Sequence, residues 1–182
     1  MTLKIALLLA QGFEEAEALV PTDVFRRVGL QVDLISLDNT EIVTSAHNVK
    51  VVTDRLLQQT DLNHYDMLFL PGGHESLDSK YSKLNSIYQQ FIAENKRIAA
   101  ICAAPTSLAK LGLLTDKNAV CYPTMRQIFT DNQVHYHHIP AVVDAPFITG
   151  RGPGAAFDFA LTIVSELLGV EAAEQVKQQL FY

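Results

Sequence analysis

The sequence predicts an α/β fold: a mostly parallel sheet with helices on both faces. Three observations carry this expectation. Apolar runs such as Leu3–Leu9 and the "DMLFL" of Asp66–Leu70 do not alternate with polar residues; amphipathic stretches lie between them; glycine or proline marks many of the junctions. A continuous apolar run is the mark of a strand buried on both faces, and strands that alternate with helices call for parallel pairing. The 182 residues suit one domain, 1–182, large enough for a substantial core.

Leu3–Leu9 is read as the first strand. Glu14–Val28 follows as a helix, with Ala16, Val20, Val24 and Val28 on one stripe and Gly29 as its stop. Pro21 lies inside that stripe and leaves the helix start open. Gln31–Leu37 alternates as a second strand. Thr40–Thr53, rich in β-branched residues and polar turns, suggests a small hairpin or an extended excursion. Asp66–Leu70 is the next buried strand, closed by "PGG"; Leu84–Glu94 is helical, and Arg97–Ile101 is again a strand. Pro105–Leu114 continues as a helix, followed by short strands at Ala119–Cys121, Ala141–Val143 and Phe147–Thr149. Gly154 opens the clearest helix, where Phe157, Ala160, Leu161, Val164, Leu167 and Leu168 keep helical spacing; Glu171–Gln179 forms the last.

The balance of charge narrows the partners. Net charge is −6, and no Lys/Arg run exceeds Arg26-Arg27, so neither a nucleic acid nor a membrane is an expected partner. No apolar run approaches the roughly 20 residues that span a bilayer. The start, "MTLKIALLLAQGFEE", passes into acidic residues without a small-residue cleavage site and reads as a strand, not a signal peptide. Two cysteines without a CxxC fit a reduced, cytoplasmic setting.

In a parallel sheet, ligands gather at the C-terminal ends of the strands. Three such ends carry chemistry here: "AQGFEEAE", "LPGGHE" and "ICAAPT". Cys102 stands where an apolar strand gives way to a helix. Helix-start N–H groups and the helix dipole would lower its pKa and make it a nucleophile; the plainer alternative is an inert, buried filler. Gly72 and Gly73 let backbone approach closely, and their N–H groups with that of Ala103 are candidates for an oxyanion site. Glu14, Glu15 and Glu17 open a helix, where acidic residues are usually solvated. One of them, Glu17 foremost, would stay protonated if buried in the crevice and could then carry protons.

Other features have structural readings. Cys121 in "AVCYPT" is a strand filler, and a disulfide to Cys102 is not expected. The "HYHH" of His135–His138 lacks a zinc-type partner and reads as surface loop, while His74 could line the crevice. "GRGPGAAFDFAL" lacks the Gly-Lys-Ser/Thr ending of a phosphate loop and reads as a turn that packs its helix near the Cys102 end.

Five segments in order, "GFEEAE", "PTDVFRRVG", "DMLFLPGG", "AAICAAPTSLAKLGLL" and "GRGPGAAFDFALTIVSELLG", resemble the ThiJ/PfpI family, which includes the parkinsonism-associated deglycase. The resemblance covers essentially the whole chain. It implies a flavodoxin-like sandwich, a nucleophile elbow at Cys102, a hydrogen bond from Glu17 to that cysteine, and an oxyanion hole from Gly73 and Ala103. Ala103 stands where the protease and large-chaperone branches carry a histidine, so a protease is not implied. Tyr122 occupies the place of a histidine in the parkinsonism-associated protein, and "VCYPT" resembles the bacterial YajL-like branch.

The implied function is a glutathione-independent glyoxalase or protein deglycase, with a hemithioacetal at Cys102 and proton transfer by Glu17. The alternative is an oxidative-stress sensor or redox-regulated chaperone acting through oxidation of Cys102. No cofactor or metal is implied. The implied partners are small reactive aldehydes or glycated proteins, and a second copy of the chain docked through the first helix and Thr40–Thr53.

Overall fold

The computed structural model describes residues 2–74 and 77–182. Its strands are β1 Lys4–Leu9, β2 Gln31–Ser36, β3 Ile42–Thr44, β4 Lys50–Val52, β5 Arg55–Leu56, β6 Met67–Leu70, β7 Arg97–Ile101, β8 Asn118–Ala119, β9 His135–Tyr136, β10 Ala141–Asp144 and β11 Phe147–Gly150. The helices are α1 Glu15–Arg27, α2 Leu77–Tyr81, α3 Asn85–Ala93, α4 Ala104–Lys110, α5 Arg126–Asp131, α6 Ala156–Leu168 and α7 Val170–Leu180.

One sheet runs β10-β11-β7-β6-β1-β2-β5, with every pairing parallel except the β10–β11 hairpin at its edge. Period-two alternation sends successive side chains to opposite faces. Ala6, Leu8, Leu68, Leu70, Ile98 and Ala100 therefore meet Tyr81, Tyr88, Phe91, Leu108 and Phe129 on one side. Ile5, Leu7, Leu9, Met67, Phe69, Ala99 and Ile101 meet Phe25, Phe159, Ile163 and Val164 on the other. These two layers explain why the central strands are apolar beyond the Lys4 and Arg97 that open β1 and β7: each has a core on both sides. Phe69 anchors the second layer, 6.0 Å from the Phe25 ring and 5.6 Å from that of Phe159.

Pro21 is accommodated inside α1 and buried there, so it neither starts nor ends the helix. Gly29 ends it in the left-handed region, at φ +80°, where a side chain would strain the backbone. Thr40–Thr53 folds as the antiparallel β3–β4 hairpin.

Two expectations change. Ala119–Cys121 does not enter the main sheet: β8 pairs with β9 in a separate two-stranded ribbon. That ribbon takes His135 out of the expected loop, although His135, His137 and His138 remain exposed. The elements β5, α2 and α5 were not anticipated, because each is six residues or fewer and too short to display a period.

Candidate active site

Strands β7, β6 and β1 are neighbours in the sheet, so the segments that leave their C-terminal ends converge. The segment after β7 is an elbow. Cys102 has φ +66°, a left-handed conformation that costs a residue with a Cβ roughly 1–2 kcal/mol. Backbone hydrogen bonds on both sides impose it. The Cys102 N–H donates to the Gly150 carbonyl at 2.9 Å, and the Tyr122 N–H donates to the Cys102 carbonyl at 2.8 Å. Just beyond, the Thr106 N–H and hydroxyl both donate to the Ala103 carbonyl, at 3.0 and 2.7 Å. The strained turn lifts the side chain of Cys102 off the sheet and leaves it half-buried.

Glu17 comes from the first turn of α1 and is fully buried. Its Oε2 accepts the Gly72 N–H at 2.8 Å, its carboxyl hydrogen-bonds with the Cys102 thiol, and its buried Oε1 has no hydrogen-bond partner among the described residues. An ionised carboxylate would be poorly compensated in that setting. Burial accordingly lifts the pKa of Glu17 to about 7, against the pull of the Cys102 and Gly72 hydrogen bonds. Near neutral pH this group can hold or release a proton.

The expected lowering of the cysteine pKa is overturned. Burial pushes the thiol up, and so does the charge of an ionised Glu17; the Ala103 N–H, which reaches the sulfur, pulls the other way. Seven-residue α4 does not outweigh these. Cys102 and Glu17 therefore behave as a pair that disfavours two negative charges at once.

Gly72 is required by space. A Cβ built on it would lie 2.6 Å from both Cys102 Cβ and Glu17 Oε2, and 3.1 Å from Sγ. Its N–H, expected to serve an oxyanion, is instead committed to Glu17. The Phe13–Gly73 bridge is closed by the amides of Glu14 and His74, so the N–H of Gly73 takes no part in it. Gly73 and Ala103 therefore remain as the oxyanion candidates.

Cys102 opens into a cleft of ≈ 320 Å³ shared with Glu14, Glu17, Gly73, Tyr122 and Met125, room for a small substrate. Tyr122 lines this cleft. His74 instead lines an adjoining cavity, with Tyr81 and Lys110, and its ring packs over Gly12. Glu15 turns away to the hairpin, where its Oε1 lies 2.9 Å from His47 Nδ1. Among the described residues, Glu14, Glu15 and His47 are the one carboxylate–imidazole grouping close enough to share a cation. Cys121 is buried and free, and burial pushes its thiol up to about 12. Tyr122 lines the cleft from the place that the resemblance pointed to, whereas Met125 and the Tyr81 hydroxyl were not anticipated at the site, since neither carries a sequence pattern pointing there.

Comparison with known proteins gives the family and the fold. Residues 3–166 match the DJ-1/PfpI family. The chain is 35% identical over 182 residues to Protein dj-1beta of Drosophila melanogaster, covering 99% of this chain and 97% of the relative. It is 32% identical over 177 residues to the glutathione-independent glyoxalase DJR-1.2 of Caenorhabditis elegans, covering 97% and 94%. The crystal structure of Drosophila melanogaster DJ-1beta superposes with TM-score 0.92 at 34% identity, over 100% and 98% of the two chains. An oxidized DJ-1 of Toxoplasma gondii superposes with TM-score 0.91 at 32% identity, over 100% and 99%. By sequence and by fold, the chain belongs to the DJ-1/PfpI family.

Proposed function

We propose that this protein is a cysteine-dependent enzyme that converts small reactive aldehydes, of the glutathione-independent glyoxalase type. The observation that carries this reading is the buried Cys102–Glu17 pair: a nucleophile on a strained elbow beside a carboxyl with a pKa of about 7. A general acid–base works best when its pKa lies near the working pH.

For methylglyoxal the steps balance without an oxidant. The Cys102 sulfur adds to the aldehyde carbon, and the thiol proton ends on the new hydroxyl, giving a hemithioacetal. Glu17 removes the proton from that carbon and returns one to the neighbouring carbon through an enediol, leaving a thioester. Water cleaves the thioester to lactate and restores the thiol. Gly73 and Ala103 N–H groups would face the oxyanions that form on the way. On an early glycation adduct, the amine or thiol would leave with a proton as the aldehyde carbon passes to the Cys102 sulfur, giving the same hemithioacetal. A relative whose name states a glutathione-independent glyoxalase, at 32% identity, supports this class of substrate.

The deciding experiment measures lactate from methylglyoxal in buffer free of amines and thiols, for wild type, Cys102→Ser and Glu17→Gln. Lactate from wild type alone is expected. Equal turnover by Cys102→Ser would overturn the reading.

A second reading is a redox sensor or redox-regulated chaperone. The unpartnered Glu17 Oε1 favours it, because a protonated carboxyl there could donate to an oxygen added at the sulfur. Two equivalents of peroxide would take the thiolate to a sulfinate and release two waters. Intact mass after peroxide titration reads this directly: a gain of two oxygens at Cys102 without lactate production would favour the sensor. In either role we expect a homodimer, with the exposed Ile42, Val49 and Val52 of the hairpin as part of its face.

A further inference from the structure

Gly72 shares a peptide unit with Pro71, and both polar atoms of that unit are engaged. The Tyr81 hydroxyl donates to the Pro71 carbonyl at 2.6 Å. The Gly72 N–H of the same peptide donates to Glu17 Oε2 at 2.8 Å. A trans peptide points its C=O and N–H in opposite directions, so Tyr81 and Glu17 grip one rigid plane from its two sides. Tyr81 is 1% exposed and belongs to the core beneath the crevice. Its ring is fixed by packing, and its hydroxyl has a defined place.

We propose that Tyr81 is a positioning residue: by holding the Pro71–Gly72 peptide it aims the Gly72 N–H at Glu17 and so seats that carboxyl against Cys102. This rests on the reading of Glu17 as the proton carrier. Two consequences follow from the hydrogen-bonded chain. The glycine-containing turn, which otherwise has wide conformational freedom, is pinned from its carbonyl side. A donor on the carbonyl also polarises the amide, which makes its N–H a stronger donor to a carboxylate. Tyr81 thereby favours the ionised form of Glu17, opposing burial. The titratable groups around this carboxyl are the Cys102 thiol across the crevice, Glu14 on the same chain turn and Tyr81 itself. Tyr88 stands behind Tyr81, fully buried, with a hydroxyl that has no partner among the described residues.

Tyr88 supplies the control. The experiment follows the rate of Cys102 carbamidomethylation by iodoacetamide against pH, by intact mass, in wild type, Tyr81→Phe and Tyr88→Phe. Losing the Tyr81 donor weakens the Gly72 hydrogen bond to the carboxylate, so the first proton of the Glu17–Cys102 pair leaves at higher pH. The expected result is a midpoint raised by roughly half a pH unit in Tyr81→Phe, with Tyr88→Phe matching wild type. A purely structural role for Tyr81 would lower thermal stability and leave the midpoint where it was; that outcome overturns the proposal. Alkylation reads the pair whether or not any aldehyde is turned over, so failure of the glyoxalase reading does not disturb this test. Should Tyr81→Phe not fold, the wild-type protein gives a second measurement. The Tyr81 hydroxyl proton should exchange slowly enough with water to be seen by NMR, and rapid exchange would overturn the proposal.

Discussion

Glu17 and Gly72 are separated by 55 positions in sequence, yet the Gly72 N–H meets Glu17 Oε2 at 2.8 Å, beyond the ends of two adjacent strands. That contact places a carboxyl where water would otherwise solvate it. The acid–base character of the site follows from this burial and from the thiol alongside.

The pair should titrate as a unit. The rate of Cys102 alkylation by iodoacetamide is expected to rise with a midpoint near 7, as the first of two shared protons leaves. Replacing Glu17 with Gln removes that proton site, and the rise should move to the higher pH set by the buried thiol. Stopped-flow or mass-resolved alkylation across pH 5 to 10 checks this; identical profiles for the two proteins would refute the coupling.

Glu17 should also make the fold sensitive to pH. Its folded pKa of about 7 lies above the unfolded value near 4.5, so the folded state holds the extra proton between them. Stability is full below the lower value and falls as pH rises through the upper one, by an amount on the order of 3 kcal/mol. Glu17→Gln should therefore raise the Tm at pH 8 and change it little at pH 4. Thermal denaturation at the two values tests the sign.

A methyl group at position 72 has no room. Gly72→Ala would drive a Cβ to 2.6 Å from Cys102 Cβ and Glu17 Oε2, and either the elbow or the carboxyl must shift. Displacement of a catalytic group by about 1 Å can cost on the order of a hundredfold in rate, so kcat/KM should fall by that order. Overpacking should lower stability by about 1–3 kcal/mol as well. Turnover together with urea denaturation separates the two effects.

The hairpin patch predicts association. Ile42 is 50% and Val52 68% exposed on the same ribbon. Light scattering should return about twice the 20.1 kDa of one chain, and Val52→Asp should shift the protein toward the single-chain mass. An unchanged mass in that variant would place any interface elsewhere.

Much of this was readable in the residues, for reasons that differ by element. Ile5–Leu9 and the "MLFL" of Met67–Leu70 announced central strands because the middle of a strand covered on both faces favours apolar side chains. The convergence of "GFEEAE", "PGG" and "ICAAPT" followed from parallel topology alone. The direction of the thiol's pKa did not follow, since local sequence suggests a helix dipole but hides how deeply the sulfur is buried, and burial outweighs the dipole. Gly72 was placed correctly at the crevice and given the wrong bond, because which of two successive amides faces a carboxyl depends on the turn. Tyr81 was invisible for a related reason: α2 is five residues long, and its hydroxyl gains meaning only from the peptide it meets in space.

The site also draws on two kinds of material. Cys102, Glu17 and the glycine turn hang from three strands locked in the middle of the sheet. Tyr122 and Met125 come instead from the connection between β8 and α5, outside that sheet. The Cys102–Glu17 pair and the cleft wall beside it thus come from separable parts of the chain. Exchanging residues 122–125 between relatives would amount to changing the lock's wards while its bolt stays in place. A change in that wall would alter what reaches Cys102 while leaving the buried Cys102–Glu17 pair where the sheet holds it.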